Sequence, residues 1–293
     1  MEEIKTIIRD RLGLAITDIV NVMFLGGMTN KNYLVTTQQE QYVVRIPGAM
    51  TESLIVRDHE AINSVAMAKA GFNVETCFLD PESGIKITKY LSDSTTLNHE
   101  TIKDTFHLIQ VAHKLRALHQ SHSKLANRFD VFGEFDKYLA LLKDKSRFYH
   151  CHERIPELLD FFQFVNNYLS DHAVTMVACH NDLVPENILL KKQDIYFIDW
   201  EYSGMNDPMF DLAAFFLEAR LNDEQKKTFL LHYFQDEPIS TVMLTKIQFY
   251  QFTQDVLWFV WTLVKEENNE FFDDYGQRRL ERAISFMSEW KQA

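Results

Sequence analysis

Three oxygen-bearing side chains stand out in this 293-residue chain: Asp182 and Asn187 in His180-Asn181-Asp182-Leu183-Val184-Pro185-Glu186-Asn187, and Asp199 in Ile198-Asp199-Trp200-Glu201. One carboxylate, an amide five residues on and a second carboxylate twelve residues after that are the equipment of phosphoryl transfer. One Asp accepts the proton of the attacking hydroxyl, while the Asn and the other Asp hold magnesium on a nucleoside triphosphate. Amide and carboxylate oxygens are the hard donors that Mg2+ prefers. The apolar runs Ile188-Leu189-Leu190 and Ile195-Tyr196-Phe197-Ile198 flank Lys191-Lys192-Gln193-Asp194, which predicts a hairpin returning Asp199 to Asn187. His180 reads as a brace for the loop rather than a proton carrier. Taken singly, Asp182 and Asn187 are also ordinary turn-formers beside Pro185. The second Asp at the end of the next strand is what makes the pattern specific.

Upstream, Gly26-Gly27-Met28-Thr29-Asn30 falls between two predicted strands. Glycine lets the backbone approach a phosphate, and Thr29 and Asn30 add hydrogen bonds. The run is neither Walker A nor G-x-G-x-x-G, and it also suits a plain turn. Downstream, Trp258 and Trp261 stand three residues apart on a predicted helix and share a face. Indole faces attract a cation that cannot donate hydrogen bonds, so the pair suits a quaternary ammonium. An aromatic stripe with Phe252, Leu257 and Val264 equally suits a core. Tyr202 and Tyr275 are further candidate walls, with Glu201 and Glu218 as candidate negative charges. His150-Cys151-His152-Glu153 has ligand types but no second pair at zinc-site spacing. Cys179 beside His180 lacks the spatial pairing that a thiol nucleophile needs.

The elements that must position these residues run from strands to helices. A short amphipathic helix at 2–12 precedes strands at 19–25, 33–35 and 42–46. Leu54, Ile55, Ile62, Val65 and Ala66 predict a helix over 52–70, ended by Gly71. Strand character returns at 74–79 and 84–91 around Asp80-Pro81-Glu82-Ser83-Gly84. Helical spacing then covers 101–121, 134–145, 153–171, 207–220, 223–235, 238–267 and 276–291, interrupted by a strand-and-loop island near 175–200. The chain reads as α+β, with a β-rich N-terminal lobe over 1–91 and a mainly helical C-terminal lobe over 92–293. Its length is sufficient for two lobes sharing a cleft.

A formal net charge of −12 without a long Lys/Arg run argues against a nucleic-acid binder and would attract a cationic substrate. Three cysteines with no Cys-x-x-Cys suit a reducing compartment. The first residues lack a signal-peptide core, and no apolar run has membrane length, so a cytoplasmic protein without a membrane partner is expected. Oligomeric state is not legible.

Together these residues resemble choline kinases of the bacterial LicA type, within the broader choline/ethanolamine kinase and aminoglycoside phosphotransferase-like family. The resemblance spans nearly the whole chain. It rests on Leu25-Gly26-Gly27-Met28-Thr29-Asn30, Tyr42-Val43-Val44-Arg45, the 180–187 and 198–202 segments, Asn206-Asp207-Pro208-Met209-Phe210-Asp211-Leu212-Ala213, and the set Trp258, Trp261 and Tyr275. It implies the protein-kinase-like two-lobed fold, with ATP and Mg2+ as cofactors and an amino-alcohol substrate, choline. By resemblance, Asp182 is the catalytic base, and Asn187 and Asp199 are the metal ligands. Gly27, Met28, Thr29 and Asn30 form the phosphate loop, Arg45 and Glu60 the phosphate-gripping pair, and the backbone at Lys89 and Leu91 the adenine site. Tyr202, Glu218, Trp258, Trp261 and Tyr275 enclose the trimethylammonium head. Arg45 stands where typical protein kinases have Lys, and Asp199-Trp200-Glu201 replaces Asp-Phe-Gly, which argues against protein phosphorylation. Competing readings are an ethanolamine or other amino-alcohol kinase, an aminoglycoside kinase, and a non-catalytic choline-binding pseudokinase.

Overall fold

The computed structural model describes residues 1–27, 29–48, 51–235 and 237–292. In its N-terminal part α1 (Glu2–Leu12) precedes the meander β1 (Ile19–Gly26), β2 (Lys31–Thr37) and β3 (Gln41–Ile46). After two helices, β4 (Thr76–Leu79) and β5 (Lys86–Lys89) complete an antiparallel sheet in the order β1-β2-β3-β5-β4. Strand alternation sorts its residues. Val44, Val35 and Ile87 face Ile4 and Ile8 of α1 in a small apolar core. Arg45 faces the other way, opposite Asn32 on one neighbour and Lys86 on the other. One face of the sheet is thus greasy, and the other carries the charge.

The predicted 52–70 helix is two helices, α2 (Thr51–Leu54) and α3 (Arg57–Lys69). The face that α3 buries holds Arg57, Glu60, Asn63, Ser64 and Met67, whereas Ile62 and Val65 are 57% and 37% exposed. The apolar spacing therefore marked the outer face. Ion pairs and hydrogen bonds compensate the buried polar groups, as desolvation requires. Asn63, for example, donates to Asn127 at 3.0 Å and to the Ser203 hydroxyl at 3.1 Å.

The remaining chain is mainly helical: α4 (Thr105–Gln120), α5 (Val131–Leu141), α6 (Ser146–Tyr149), α7 (Ile155–Asp171), α8 (Pro208–Glu218), α9 (Asp223–Phe234), α10 (Thr241–Glu266) and α11 (Tyr275–Trp290). Starts follow local chemistry. Asp104 caps α4 through the Phe106 amide at 2.8 Å, and Asn222 with Gln225 forms a capping box on α9. α10 is buried without interruption from Phe252 to Lys265, with α5, α8 and α11 packed around it. Set into this part are β6 (Thr95–Thr96), β7 (Val177–Cys179), the β8 (Ile188–Lys191)–β9 (Asp194–Phe197) hairpin, and β10 (Gly204–Asn206), which pairs with β7. Among the described residues, no helix is long and apolar enough to cross a membrane.

Candidate active site

β7 feeds directly into the 180–187 loop, and Asp211 in the first turn of α8 holds the loop's entrance. Its fully buried carboxylate accepts the His180 and Asn181 amides at 2.9 and 2.7 Å and pairs with His119 Nε2 at 3.0 Å. Burial opposes ionisation of Asp211, but its hydrogen bond to His119 keeps the carboxyl below the usual range. His180 Nε2 bonds the Ile198 carbonyl at 2.8 Å, and its Nδ1 lies 3.3 Å from the Asp182 amide. A single neutral tautomer, protonated on Nε2, satisfies both. Burial pushes His180 below its ordinary value despite the nearby Asp211. The imidazole ties the loop to the end of the β8–β9 hairpin.

That hairpin pairs Ile188 with Phe197, and the Ile198 amide donates to the Asn187 carbonyl at 2.9 Å. Asn187 and Asp199 therefore meet at its open end. Asn187 Nδ2 donates to the Asp182 carbonyl at 3.0 Å, which leaves Oδ1 as the free acceptor. Asp199 adopts a left-handed φ of 63° and places Oδ1 3.1 Å from Arg45 Nη1. Burial raises the Asp182 carboxyl well above its ordinary value, and the charges of Asp199, Glu218 and Glu201 raise it further. The groups gathered at Asn187 and Asp199 are oxygen donors. This set fits a hard divalent cation at Asn187 and Asp199. Glu60 also has an oxygen close to those of Asp199 and Glu201. Both Glu60 oxygens, however, are taken by cationic side chains.

Those cations converge from the sheet and from α3. Arg45 forks onto Glu60 at 2.7 and 2.9 Å, and Lys86 and Arg57 bond the same carboxylate. Burial works against Glu60's charge, but Arg45, Lys86 and Arg57 together hold its carboxyl far below the usual range. Glu201, which the sequence offered as a charge for the ammonium pocket, instead accepts from Arg45 at 3.2 Å, Arg57 at 3.1 Å and Asn30 at 3.3 Å. Burial, with Asp199 close by, nevertheless pushes Glu201 up to about 7. Among the described residues, buried Arg45 Nε and Arg57 Nη2 have no hydrogen-bond partner.

Above this network is the glycine turn. Gly27 has φ 137°, and a Cβ there would lie 1.9 Å from the Asn30 carbonyl, so no other residue fits. Thr29 packs its carbonyl against Gly48, and Met28 lies outside the described residues. At the end of β5, the Lys89 side chain pairs with Glu40 at 3.2 Å, and the Leu91 carbonyl accepts the Ser94 hydroxyl at 2.6 Å. A cavity of about 550 Å3 borders the network between Gly48, Arg57 and Gly84, and none of the aromatic candidates lines it.

A single turn, Trp200–Tyr202, leads from Asp199 to the rings. Tyr202 lies 5.2 Å edge-on to Trp258, Trp258 lies 6.1 Å from Trp261 at 86°, and Trp261 lies 6.4 Å from Tyr275. The indoles are 6% and 5% exposed, while Tyr202, Tyr275 and Glu218 are half-buried and carry the wall to solvent. Glu218 and the Tyr275 oxygen both bond Arg279 Nη2, a partner that the sequence reading missed. Arg57, Lys86, Phe272 and Tyr138 were missed as well. Burial raises the Tyr138 hydroxyl well above its ordinary value, and the charge of Glu134, followed by those of Asp182 and Glu201, raises it further. The i, i+3 step from Arg57 to Glu60 and the i, i+4 step from Tyr275 to Arg279 were the only sequence signals available.

The arrangement places cations for phosphates, oxygens for a metal, a buried carboxylate and an aromatic wall around one turn of chain. Known proteins share the chain's sequence and fold. The family described as choline/ethanolamine kinase matches residues 22–284. Protein LicA of Haemophilus influenzae is 42% identical over 269 residues, 89% of this chain and 99% of that protein. The crystal structure of choline kinase LicA from Streptococcus pneumoniae superimposes with a TM-score of 0.87 at 37% identity, covering 98% of this chain and 99% of that one. A structure of LicA in complex with AMP gives 0.85 at 37% identity, covering 99% and 98%. The fold is the protein-kinase-like one, a β-sheet lobe on a helical lobe.

Proposed function

The chain belongs to the choline/ethanolamine kinase family, and from that premise we propose that it transfers the γ-phosphoryl group of ATP to the hydroxyl of choline. One observation carries the reading: the turn Asp199–Tyr202 joins the oxygen cluster to the ring wall, and on this reading an ammonium on the rings directs its two-carbon hydroxyl arm toward Asp182.

Residues 1–91 form the nucleotide-binding lobe and 92–293 the lobe that binds the alcohol. Backbone groups at Lys89 and Leu91 receive adenine, and the 26–30 turn covers the phosphates. Arg45, held by Glu60, supplies positive charge beside them. Asn187 and Asp199 would hold Mg2+, which would neutralise charge on the phosphates. Asp182 accepts a hydrogen bond from the choline hydroxyl and takes its proton as the new O–P bond forms. The bond between γ-phosphorus and the bridging oxygen breaks, and ADP departs with that electron pair. Tyr202, Trp258, Trp261 and Tyr275 hold the trimethylammonium by cation–π attraction, with Glu218 at the rim. Catalysis of this kind is chiefly positioning and electrostatics. Free cysteines at 77, 151 and 179 suit a cytoplasmic setting.

Phosphorus NMR of the protein with ATP, Mg2+ and either choline or ethanolamine tests the reading. Phosphocholine with stoichiometric ADP is expected. Faster turnover of ethanolamine would move the assignment to an ethanolamine kinase, and ligand binding with no ADP would make the protein a sensor.

A further inference from the structure

The rings alone do not complete the ammonium pocket. Arg279, on α11 and only 3% exposed, occupies its outer wall. Its Nη2 bonds both Glu218 Oε1 and the Tyr275 hydroxyl oxygen, the latter at 2.6 Å. Its Cζ lies 4.7 Å over the Tyr275 ring. Nη1 is anchored at 3.0 Å on Asp255, which Arg282 also binds, through Nε at 2.6 Å. A guanidinium tied at one end to buried Asp255 and at the other to half-buried Glu218 is fixed in place.

The consequence lies in what Arg279 removes from the pocket. A primary ammonium has three N–H donors and needs directional acceptors, whereas a trimethylammonium has none and needs only polarizable faces. Glu218 and Tyr275 are acceptors in the pocket wall, and Arg279 draws on both. We propose that Arg279 is a specificity-determining residue: by offsetting the charge of Glu218 through Oε1 and sharing the Tyr275 oxygen, it weakens both as acceptors for a primary ammonium and biases the pocket toward quaternary amines. This rests on the kinase reading above. Arg279 also acts through space on Asp182, whose carboxyl its charge lowers; that influence falls on both amines alike, so the ratio of the two substrates isolates the choice of amine.

The test compares kcat/KM for choline and for ethanolamine, with ATP and Mg2+, in the wild-type protein and in Arg279→Met, Arg279→Lys and Tyr275→Phe. Arg279→Met frees both acceptors, and the choline-to-ethanolamine ratio is expected to fall about tenfold, the size of one charge-assisted hydrogen bond. Arg279→Lys, which can still reach Glu218, should keep most of the wild-type ratio. Tyr275→Phe deletes one oxygen with little risk to folding. Because that oxygen is already engaged, the two substrates should be affected alike. Should Arg279→Met slow both substrates in proportion, or Tyr275→Phe selectively weaken ethanolamine, the inference is overturned, since the first shows a purely structural arginine and the second an oxygen that binds the ammonium itself. A wild-type protein that turns over neither amine overturns the kinase reading and this inference with it. Those outcomes differ in which protein fails.

Discussion

The two halves of the site are both buried, yet they are built on opposite principles. Around Glu60, charged groups from β3, β5, α3 and the 199–202 turn are stacked into a network where, among the described residues, Glu60 has three cationic partners, Glu201 two and Asp199 one. Around Trp258, apolar rings meet edge to face, and the charge is kept to the rim at Glu218 and Arg279. The first half is suited to a ligand with several charges of one sign. The second suits a single cation without donors. A charged network tolerates little loss, because removing one member strands the others in low dielectric. A ring wall loses affinity in proportion to the face removed.

The sharpest break between the halves is expected at Asp182. Asp182→Asn should lower kcat by about a thousandfold while leaving the choline KM close to wild type. Near-normal kcat in steady-state assays would remove Asp182 from the proton transfer. Glu60→Ala should cost about 3–5 kcal/mol in urea unfolding, since Arg45, Arg57 and Lys86 would share no counterion there. A loss below about 1 kcal/mol would make the network no stronger than surface pairs. Trp258→Ala belongs to the other half. It should raise the choline KM about tenfold with the ATP KM little changed, and a parallel rise in both would dissolve the distinction between the halves.

The hinge between them gives a pH signature. His180 is held neutral by burial, so its folded pKa lies below the ordinary 6.5. Its stabilising share is complete above the unfolded value and is lost as pH falls from about 6.5 through the folded value. Melting curves of His180→Asn against wild type should show a shallower decline over that window, by at most about 1.4 kcal/mol per pH unit. Identical slopes would assign the decline to other groups. The smallest effect tests the inverted face of α3. Ile62→Lys should change stability by less than about 0.5 kcal/mol, whereas Asn63→Ala should cost about 1–3 kcal/mol. The reverse ranking would mean that α3 packs by its apolar side.

What the sequence made legible follows the same division. The strands and the β8–β9 hairpin were readable because short apolar runs are bounded by Gly, Pro and charged turns, and hairpin geometry alone carries Asp199 to Asn187. Arg57, Lys86 and Arg279 were not readable. Each is an ordinary charged residue until the fold brings in a partner from far along the chain. α3 misled for a related reason: its buried face is polar, so hydrophobic periodicity pointed outward at Ile62 and Val65. Trp258 and Trp261 could be placed together by spacing. Periodicity could not show which face of α10 lines a pocket, because Phe252–Lys265 are all buried. The short α6 carried no pattern long enough to detect.

The two halves make one site only if a single small molecule spans them. A crystal structure with choline, ADP and Mg2+ measures this directly. The trimethylammonium should lie against Trp258 and Trp261, with the hydroxyl within hydrogen-bond distance of Asp182 and the metal on Asn187 and Asp199. Choline bound away from the indoles, or with its hydroxyl turned from Asp182, would contradict the account.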